Sequence, residues 1–190
     1  MFLALRPSPA AIHRFLEESH ALSLSGEPVG RLRDPRTGTP VTGDWTVGRG
    51  AADFGRACAA LRAWRQFDVG WIELHPHGAG TEVGTDVALL ARHLGFWSLN
   101  GCRVVYHVGD TAQGPRFGYA YATLPTHAMA GEEVFEVALD PATDAVTYRI
   151  RAIARPQALL ARIGRPVVRA LQRRFRRDSL AAVRRAVRAG

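Results

Sequence analysis

Large and small residues alternate strictly over residues 117–123, a pattern that predicts a β-strand near the centre of a sheet. One face carries the larger side chains, Phe117, Tyr119, Tyr121 and Thr123. The other face carries only glycine and alanine, so another part of the chain can pack closely against it. A connection with Pro125 and Gly131 follows, and alternation resumes over 133–139. The two stretches therefore predict an antiparallel hairpin with a long connection.

The same periodicities predict the other elements up to residue 155. Alternating or apolar runs predict strands over 44–47, 71–75, 83–94, 102–108 and 146–153. Glycine-rich segments predict a turn at 95–101 and an irregular segment over 23–43. Three- and four-residue spacing of apolar residues predicts helices over 8–20, capped by Ser8 with Pro9 in the first turn, and over 51–67.

The last part of the chain predicts a long helix with one apolar stripe. The stripe contains Leu159, Leu160, Ile163, Val167, Leu171 and Phe175, with the arginines largely off it. Gly164 and Pro166 are expected to kink or divide this helix. The pair Asp178–Ser179 is expected to cap a last short turn over 180–187.

This element order predicts the α+β class. Strands joined in sequence by turns form an antiparallel meander of about six or seven strands, which curves because sheets twist. The apolar stripe of the C-terminal helix requires a partner, and the concave face of the sheet provides one. We therefore expect a START-like helix-grip fold with a cavity between sheet and helix. We expect one domain over 1–190: a helix and irregular segment over 1–43, a helix plus sheet over 44–155, and an Arg-rich helix over 156–190.

Composition and charge narrow the class of protein. The 190 residues are 47% hydrophobic, as in globular proteins, and no apolar run is long enough to span a membrane. The apolar start ends at Arg6–Pro7, too early for a signal peptide, so a cytoplasmic location is expected. Two separated cysteines are too few for a disulfide scaffold or a zinc site. The net charge of +8 comes entirely from arginine, and 12 of the 25 arginines lie in residues 151–190 with Asp178 as the single acid there.

Several stretches resemble an uncharacterised family, protein family 0548. They are Gly48-Arg49-Gly50 with Phe54, 60–64, 67–71, 100–106, 117–121, 123–125 with His127, 131–133, and 151–156. The resemblance spans roughly residues 6–180 and is densest over 48–175. It departs at Ala122, where the family pattern leads us to expect glycine, and it is loose over 26–43. The resemblance implies a START-like helix-grip fold, in agreement with the element order, and it implies no particular activity.

The predicted cavity is the first candidate site. Rings and hydroxyls on neighbouring strands suit a flat, largely apolar ligand: Tyr106, Tyr119, Tyr121, Phe135 and Tyr148. Arg103 is the candidate polar anchor for a carboxylate or phosphate. The alternative is an aromatic core that fills the same space. We expect a protein that binds a small apolar or aromatic ligand there.

A second function class is an enzyme of cyclase or hydrolase type on the same scaffold. His127 and Glu133 are its candidate catalytic residues, because a carboxylate near an imidazole tunes the pKa of that imidazole toward neutrality. The alternative is a loop histidine and a surface acid. Glu73, His75 and His77 share one face of a strand and could bind a metal, but no further ligand completes the set, so no metal site is predicted.

The Arg-rich C-terminus supports a third possibility, binding to nucleic acid or an anionic surface. Its candidate contacts are Arg173, Arg174, Arg176, Arg177, Arg184, Arg185 and Arg188. The segment lacks interleaved aromatic residues and any helix-turn-helix or zinc signature, and such charge runs are most often the solvated face of a helix. The sequence carries no dinucleotide or phosphate-loop motif, and no cofactor is predicted.

Overall fold

The computed structural model describes residues 1–25, 29–33, 41–111, 114–158 and 164–189, without the side chains of Val41, Thr42 and Arg165. The strands in this part of the chain are β1 (Phe2–Leu3), β2 (Val41–Arg49), β3 (Ile72–His75), β4 (Asp86–His93), β5 (Phe96–Val108), β6 (Arg116–Thr123), β7 (Met129–Leu139) and β8 (Ala145–Pro156). The helices are α1 (Pro9–His20), α2 (Gly50–Arg62), a 3-10 turn (Arg65–Phe67) and α3 (Arg165–Arg188).

Seven strands form one curled antiparallel sheet in the order β2-β8-β7-β6-β5-β4-β3. The short β1 pairs with the start of β5, opposite Trp97 and Ser98. Helices α2 and α3 pack together on one face, called here the inner face, and α1 packs on the outer face of β4. The predicted α+β helix-grip fold is therefore confirmed.

The main core lies between the inner face and the two helices. It is built from buried side chains of every layer, among them Leu61, Trp64, Phe67, Tyr119, Phe135, Val137, Tyr148, Phe175, Val183 and Val187. Burying each large side chain of this kind contributes about 1.5–3 kcal/mol of transfer free energy. Because Val183 and Val187 belong to this core, the Arg-rich end of α3 is an integral part of the fold.

The outer face is covered in two places. Ile12 and Phe15 of α1 pack on Leu90 and Leu99, and Ser8 caps α1 by accepting a hydrogen bond from the Ala11 amide, as the sequence predicts. Leu32 packs on a second patch formed by Tyr106, Ala120 and Val134.

A carboxylate fixes the segment around Leu32 on the outer face. Glu132 accepts hydrogen bonds from the amides of Gly30 at 2.7 Å and Leu32 at 2.6 Å. Beside it the buried Arg151 donates to the Leu32 carbonyl at 2.6 Å and to the buried Glu136 carboxylate at 2.8 Å. Polar groups buried with such partners avoid the penalty of desolvation without compensation.

Three local predictions were wrong. Residues 96–101 of the segment predicted as a turn belong to β5, and the β4–β5 turn is tight, with positive φ at Leu94 and Gly95. Helix α2 ends at Arg62, because Trp64 adopts a left-handed conformation. The helix α3 runs without a break through Asp178 and Ser179.

The C-terminal helix is predicted to be kinked or divided at Gly164 and Pro166, and the described residues include only the part from Gly164 onward. Helix α3 begins directly after Gly164, with Pro166 in its first turn, where a missing amide donor costs nothing. Residues 159–163 of the predicted stripe, and 26–28 and 34–40 of the predicted irregular segment, lie outside the described residues.

Among the helices in the described ranges, none has the length and apolarity that crossing a membrane requires.

Candidate ligand-binding cavity

The space between sheet and helix is filled at one end and hollow at the other. Toward the C-terminal end of α3 it is occupied by the core described above. Toward the N-terminal end of α3 lies a cavity of about 520 Å³, a size typical of sites for small molecules. Its walls are mostly apolar and include Ala91, Ala152, Ala154, Val168, Leu171 and Met129.

Aromatic rings separate the cavity from the filled core. The ring of Phe67 lies 5.2 Å from that of Phe175 and 5.6 Å from that of Phe135, and Tyr121 lies 5.7 Å from Phe135. Tyr121 and Phe175 also line the cavity. The cluster therefore forms a rigid floor, because rings packed at these distances have few alternative positions.

The wall of the cavity also includes exposed apolar side chains. Leu94, within the tight β4–β5 turn, and Phe96, directly after it, are 73% and 55% exposed. Val167 in the first turn of α3 is 40% exposed. The cavity wall therefore includes apolar surface that is exposed to solvent.

Glu133 supplies a carboxyl group to the cavity wall. It lies on the inner face of β7, opposite Tyr121 of β6 and Ala152 of β8. The Tyr121 hydroxyl donates a hydrogen bond of 2.6 Å to Oε2 of Glu133. Burial raises the pKa of the Glu133 carboxyl to about 7, although the Tyr121 hydrogen bond and the positive charge of Arg176 oppose that rise.

His127 contributes an imidazole to the same cavity. Its Nδ1 accepts a hydrogen bond of 2.8 Å from the Met129 amide, which leaves the proton of the neutral ring on Nε2. Burial lowers the pKa of His127 to about 4, so the ring is neutral at pH 7. Both predicted catalytic candidates thus line one cavity, and in the described chain no hydrogen bond joins them.

Four of the predicted ligand-binding residues lie on the inner face of the sheet but at different depths. Tyr121 lines the cavity, Phe135 belongs to the floor, and Tyr119 and Tyr148 lie below it in the filled core. Their polar groups have protein partners there: the Tyr148 hydroxyl lies 2.7 Å from the Ser179 hydroxyl. The rings of Tyr119, Phe135 and Tyr148 correspond to the aromatic core that the sequence left as an alternative.

Arg103 and Tyr106 lie on the outer face and do not reach the cavity. A register shift in β5 between Val104 and Tyr106 turns Tyr106 to the face of Ala120, although simple alternation would place it with Val104. Arg103 pairs with Asp86 at 2.6 Å and donates to carbonyls at the C-terminal end of α1. Its guanidinium therefore joins α1 to the sheet.

Comparison with known proteins places this architecture in a family. A profile described as "Domain of unknown function (DUF1990)" matches residues 19–182. A UPF0548 protein of Deinococcus radiodurans is 36% identical over 194 aligned positions that cover 92% of each chain. A UPF0548 protein of Dictyostelium discoideum is 37% identical over 149 residues, covering 74% of this chain and 69% of that protein. The chain belongs to the UPF0548 family.

One solved structure supports the fold of this UPF0548 protein. The crystal structure of TTHA0849 from Thermus thermophilus superposes with a TM-score of 0.51 and 11% sequence identity. The alignment covers 77% of this chain and 95% of that one. At this identity the likeness concerns the fold alone.

The acidic and histidine side chains at the end of β3 contact one another and Arg6 in this UPF0548 protein. Glu73 accepts a hydrogen bond of 2.6 Å from Arg6 and lies 3.5 Å from Nε2 of His75. The rings of His75 and His77 are 4.8 Å apart. Within the described residues, no three His, Cys, Asp or Glu side chains come together in a way that could hold a metal ion.

Several arginines of α3 also contact the protein itself. Arg184 donates to the Thr46 carbonyl at 3.0 Å, and Arg185 donates to the Asp68 carbonyl at 2.9 Å. Arg174 lies over the Trp71 ring at 4.6 Å. Part of the charge run thus fixes α3 to the sheet and to the 3-10 turn.

Sequence reasoning missed the polar residues of α3 that line the cavity, Gln172 and Arg176. They lie one helical turn apart on α3, next to the apolar residues Leu171 and Phe175. Their spacing of four residues, beside the predicted stripe, is the signal that could have identified them. Arg176 was grouped with the Arg-rich tail, although its position on the helix turns it to the cavity.

Proposed function

We propose that this UPF0548 protein binds a small, largely apolar ligand in the cavity between its sheet and α3. The observation that carries the proposal is a cavity of about 520 Å³ with mostly apolar walls, an aromatic floor and a half-buried carboxyl group. A few polar groups in an otherwise apolar pocket are typical of ligand sites, where they fix the orientation of the ligand.

The test compares a variant that fills the cavity with one that changes only the surface. Ala152 lies in the cavity wall, and Ala170 is exposed on α3. Ala152→Phe should occupy the space needed by the ligand, whereas Ala170→Phe adds the same ring in solvent. Native mass spectrometry of the purified proteins, followed by denaturing extraction, should detect a retained small molecule in the wild type and in Ala170→Phe.

The result expected for Ala152→Phe is loss of that molecule, with circular dichroism and thermal unfolding checking that the variant is folded. Equal retention by all three proteins would place the ligand elsewhere and refute the proposal. A wild-type protein that carries nothing and binds no apolar compound in a titration would refute it as well.

The same cavity supports a second candidate, an enzyme that uses Glu133 and His127 as acid and base. The observation that favours it is a carboxyl group with a pKa of about 7 in the same cavity as a neutral imidazole. If a turnover is found, Glu133→Gln and His127→Ala should each lower kcat by about 100-fold or more. An unchanged turnover in both variants would refute the assignment of Glu133 and His127 as acid and base, and ligand binding would remain the only proposed function of the cavity.

A further inference from the structure

Most polar side chains in the cavity wall are already paired within the protein. The Asn100 amide donates to the Leu89 carbonyl at 3.3 Å and to Ser98 at 3.0 Å, and its carbonyl oxygen accepts from the Ala128 amide at 3.1 Å. The Thr123 hydroxyl accepts from the Gly131 amide at 2.9 Å. These groups maintain the wall and have little hydrogen-bonding capacity left for a ligand.

Glu133 differs from them because one of its two oxygens is available. Oε2 accepts the Tyr121 hydroxyl, whereas no donor to Oε1 occurs among the residues that the structure describes. A carboxylate can accept about four hydrogen bonds, so most of its capacity is unused. The side chain lines the cavity, and the positive charge of Arg176, which lines it too, acts on the Glu133 carboxyl.

We propose that Glu133 is the polar anchor of the ligand and that the cavity takes amphipathic molecules whose head group donates a hydrogen bond. The head would be a hydroxyl or an amine, and the body an apolar chain or ring system. This inference rests on the proposed binding function. It goes further because it fixes the chemical class of the head group and the atom, Oε1 of Glu133, that recognises it.

We expect the head group of the ligand to be a hydrogen-bond donor because of the partners that surround Glu133. The Tyr121 hydroxyl has committed its hydrogen to Glu133, so it cannot also donate to a ligand. A ligand carboxylate at this position would place two negative charges side by side in a mostly apolar cavity, an arrangement that costs free energy. Hydrogen bonds to a charged partner contribute about 1.5–3 kcal/mol, or roughly 10- to 100-fold in affinity.

The experiment uses three probes with the same apolar chain and different heads: decan-1-ol, decylamine and decanoate. Each is titrated at pH 8 by isothermal titration calorimetry into the wild type, Glu133→Gln and Glu132→Gln. Glu132 is the matched control, because it is the adjacent cavity residue with the same side chain, and both oxygens of its carboxylate already accept hydrogen bonds from the Gly30 and Leu32 amides.

In the wild type we expect decylamine and decan-1-ol to bind at least about 10-fold more tightly than decanoate. Glu133→Gln should weaken decylamine by at least about 10-fold and strengthen decanoate, and folded Glu132→Gln should keep the wild-type order. The relative affinities of the alcohol and the amine then show which donor head is preferred.

The outcomes separate this inference from the proposed function. Equal binding of all three probes, or an order that Glu133→Gln leaves unchanged, would overturn the anchor and leave a cavity that binds ligands. Tightest binding by decanoate would overturn it in favour of Arg176. If none of the probes binds the wild type, both the anchor and the proposed function fail.

Discussion

The position of Glu133 predicts an unusual effect of substitution on stability. Burial raises the pKa of its carboxyl to about 7, above the ordinary value of 4.5. An acid whose pKa is raised by folding is stabilising when protonated, so its contribution is present below pH 4.5 and is lost as the pH rises through 7. Glu133→Gln keeps the shape and the acceptor for Tyr121 but removes the titration. From this shift we expect the variant to exceed the wild type by about 3 kcal/mol in free energy of unfolding at pH 8.

The pH dependence separates this effect from simple repacking. At pH 4.5 the expected difference falls below about 0.5 kcal/mol, because the wild-type carboxyl is then protonated in the folded state and about half protonated in the unfolded state. Urea unfolding at pH 4.5 and pH 8, followed by circular dichroism, measures both differences, and other titrating groups cancel between the two proteins. A difference that is the same at both pH values, or a destabilised variant at pH 8, would refute the reasoning.

Glu132→Gln is a control for which the expected change in the free energy of unfolding has the opposite sign. The Glu132 carboxylate accepts two amide hydrogen bonds, from Gly30 and Leu32, and an amide side chain cannot accept both with equal strength. We expect this variant to lose about 1.5–3 kcal/mol at pH 8. Two neighbouring residues with the same side chain should therefore respond to the same substitution in opposite directions.

Three further variants test other parts of the structure. Because burial lowers the pKa of His127 to about 4, the wild type should lose up to about 3 kcal/mol as the pH falls from 6.5 to 4. In urea unfolding, His127→Gln should reduce this decrease in the free energy of unfolding, whereas substitution of the exposed His13 by Gln should not. An equal decrease in both variants would contradict the role of His127. Arg151→Met should cost about 3 kcal/mol by leaving a buried carboxylate with fewer partners, and an unchanged unfolding midpoint would refute this. Deleting 179–190 should abolish cooperative thermal unfolding, because Val183 is part of the core, and a sharp transition would contradict that role.

The alternation in the central hairpin predicts which side chains of β6 and β7 share a face, but it does not distinguish cavity residues from core residues such as Tyr119 and Phe135. Tyr121 and Glu133 fall on the inner face because side chains of regular strands alternate, and both strands are regular there. Tyr106 lies on the opposite face because β5 contains a register shift. A bulge adds one residue to a strand without a distinctive local signal, so it reverses the face of every later residue in a prediction.

The polar pair in α3 illustrates a second limit of local patterns. Asp178 and Ser179 resemble a helix cap in sequence, yet their side chains have tertiary partners within a continuous helix. The Trp71 indole donates to Asp178 at 3.0 Å, and Ser179 lies 2.7 Å from the Tyr148 hydroxyl. Tertiary hydrogen bonds of this kind stabilise residues in the middle of a helix that would otherwise favour its end.

The aromatic floor has a consequence for how relatives of this protein can diverge. Residues on its filled side, such as Val137 and Val183, provide packing free energy, whereas those on the hollow side, such as Ala152 and Leu171, determine what fits in the cavity. Under the proposed function, substitutions on the hollow side would alter ligand preference with little loss of folding free energy, because they leave the packed side unchanged. Selection can therefore change what the fold recognises and retain the stability that keeps it folded.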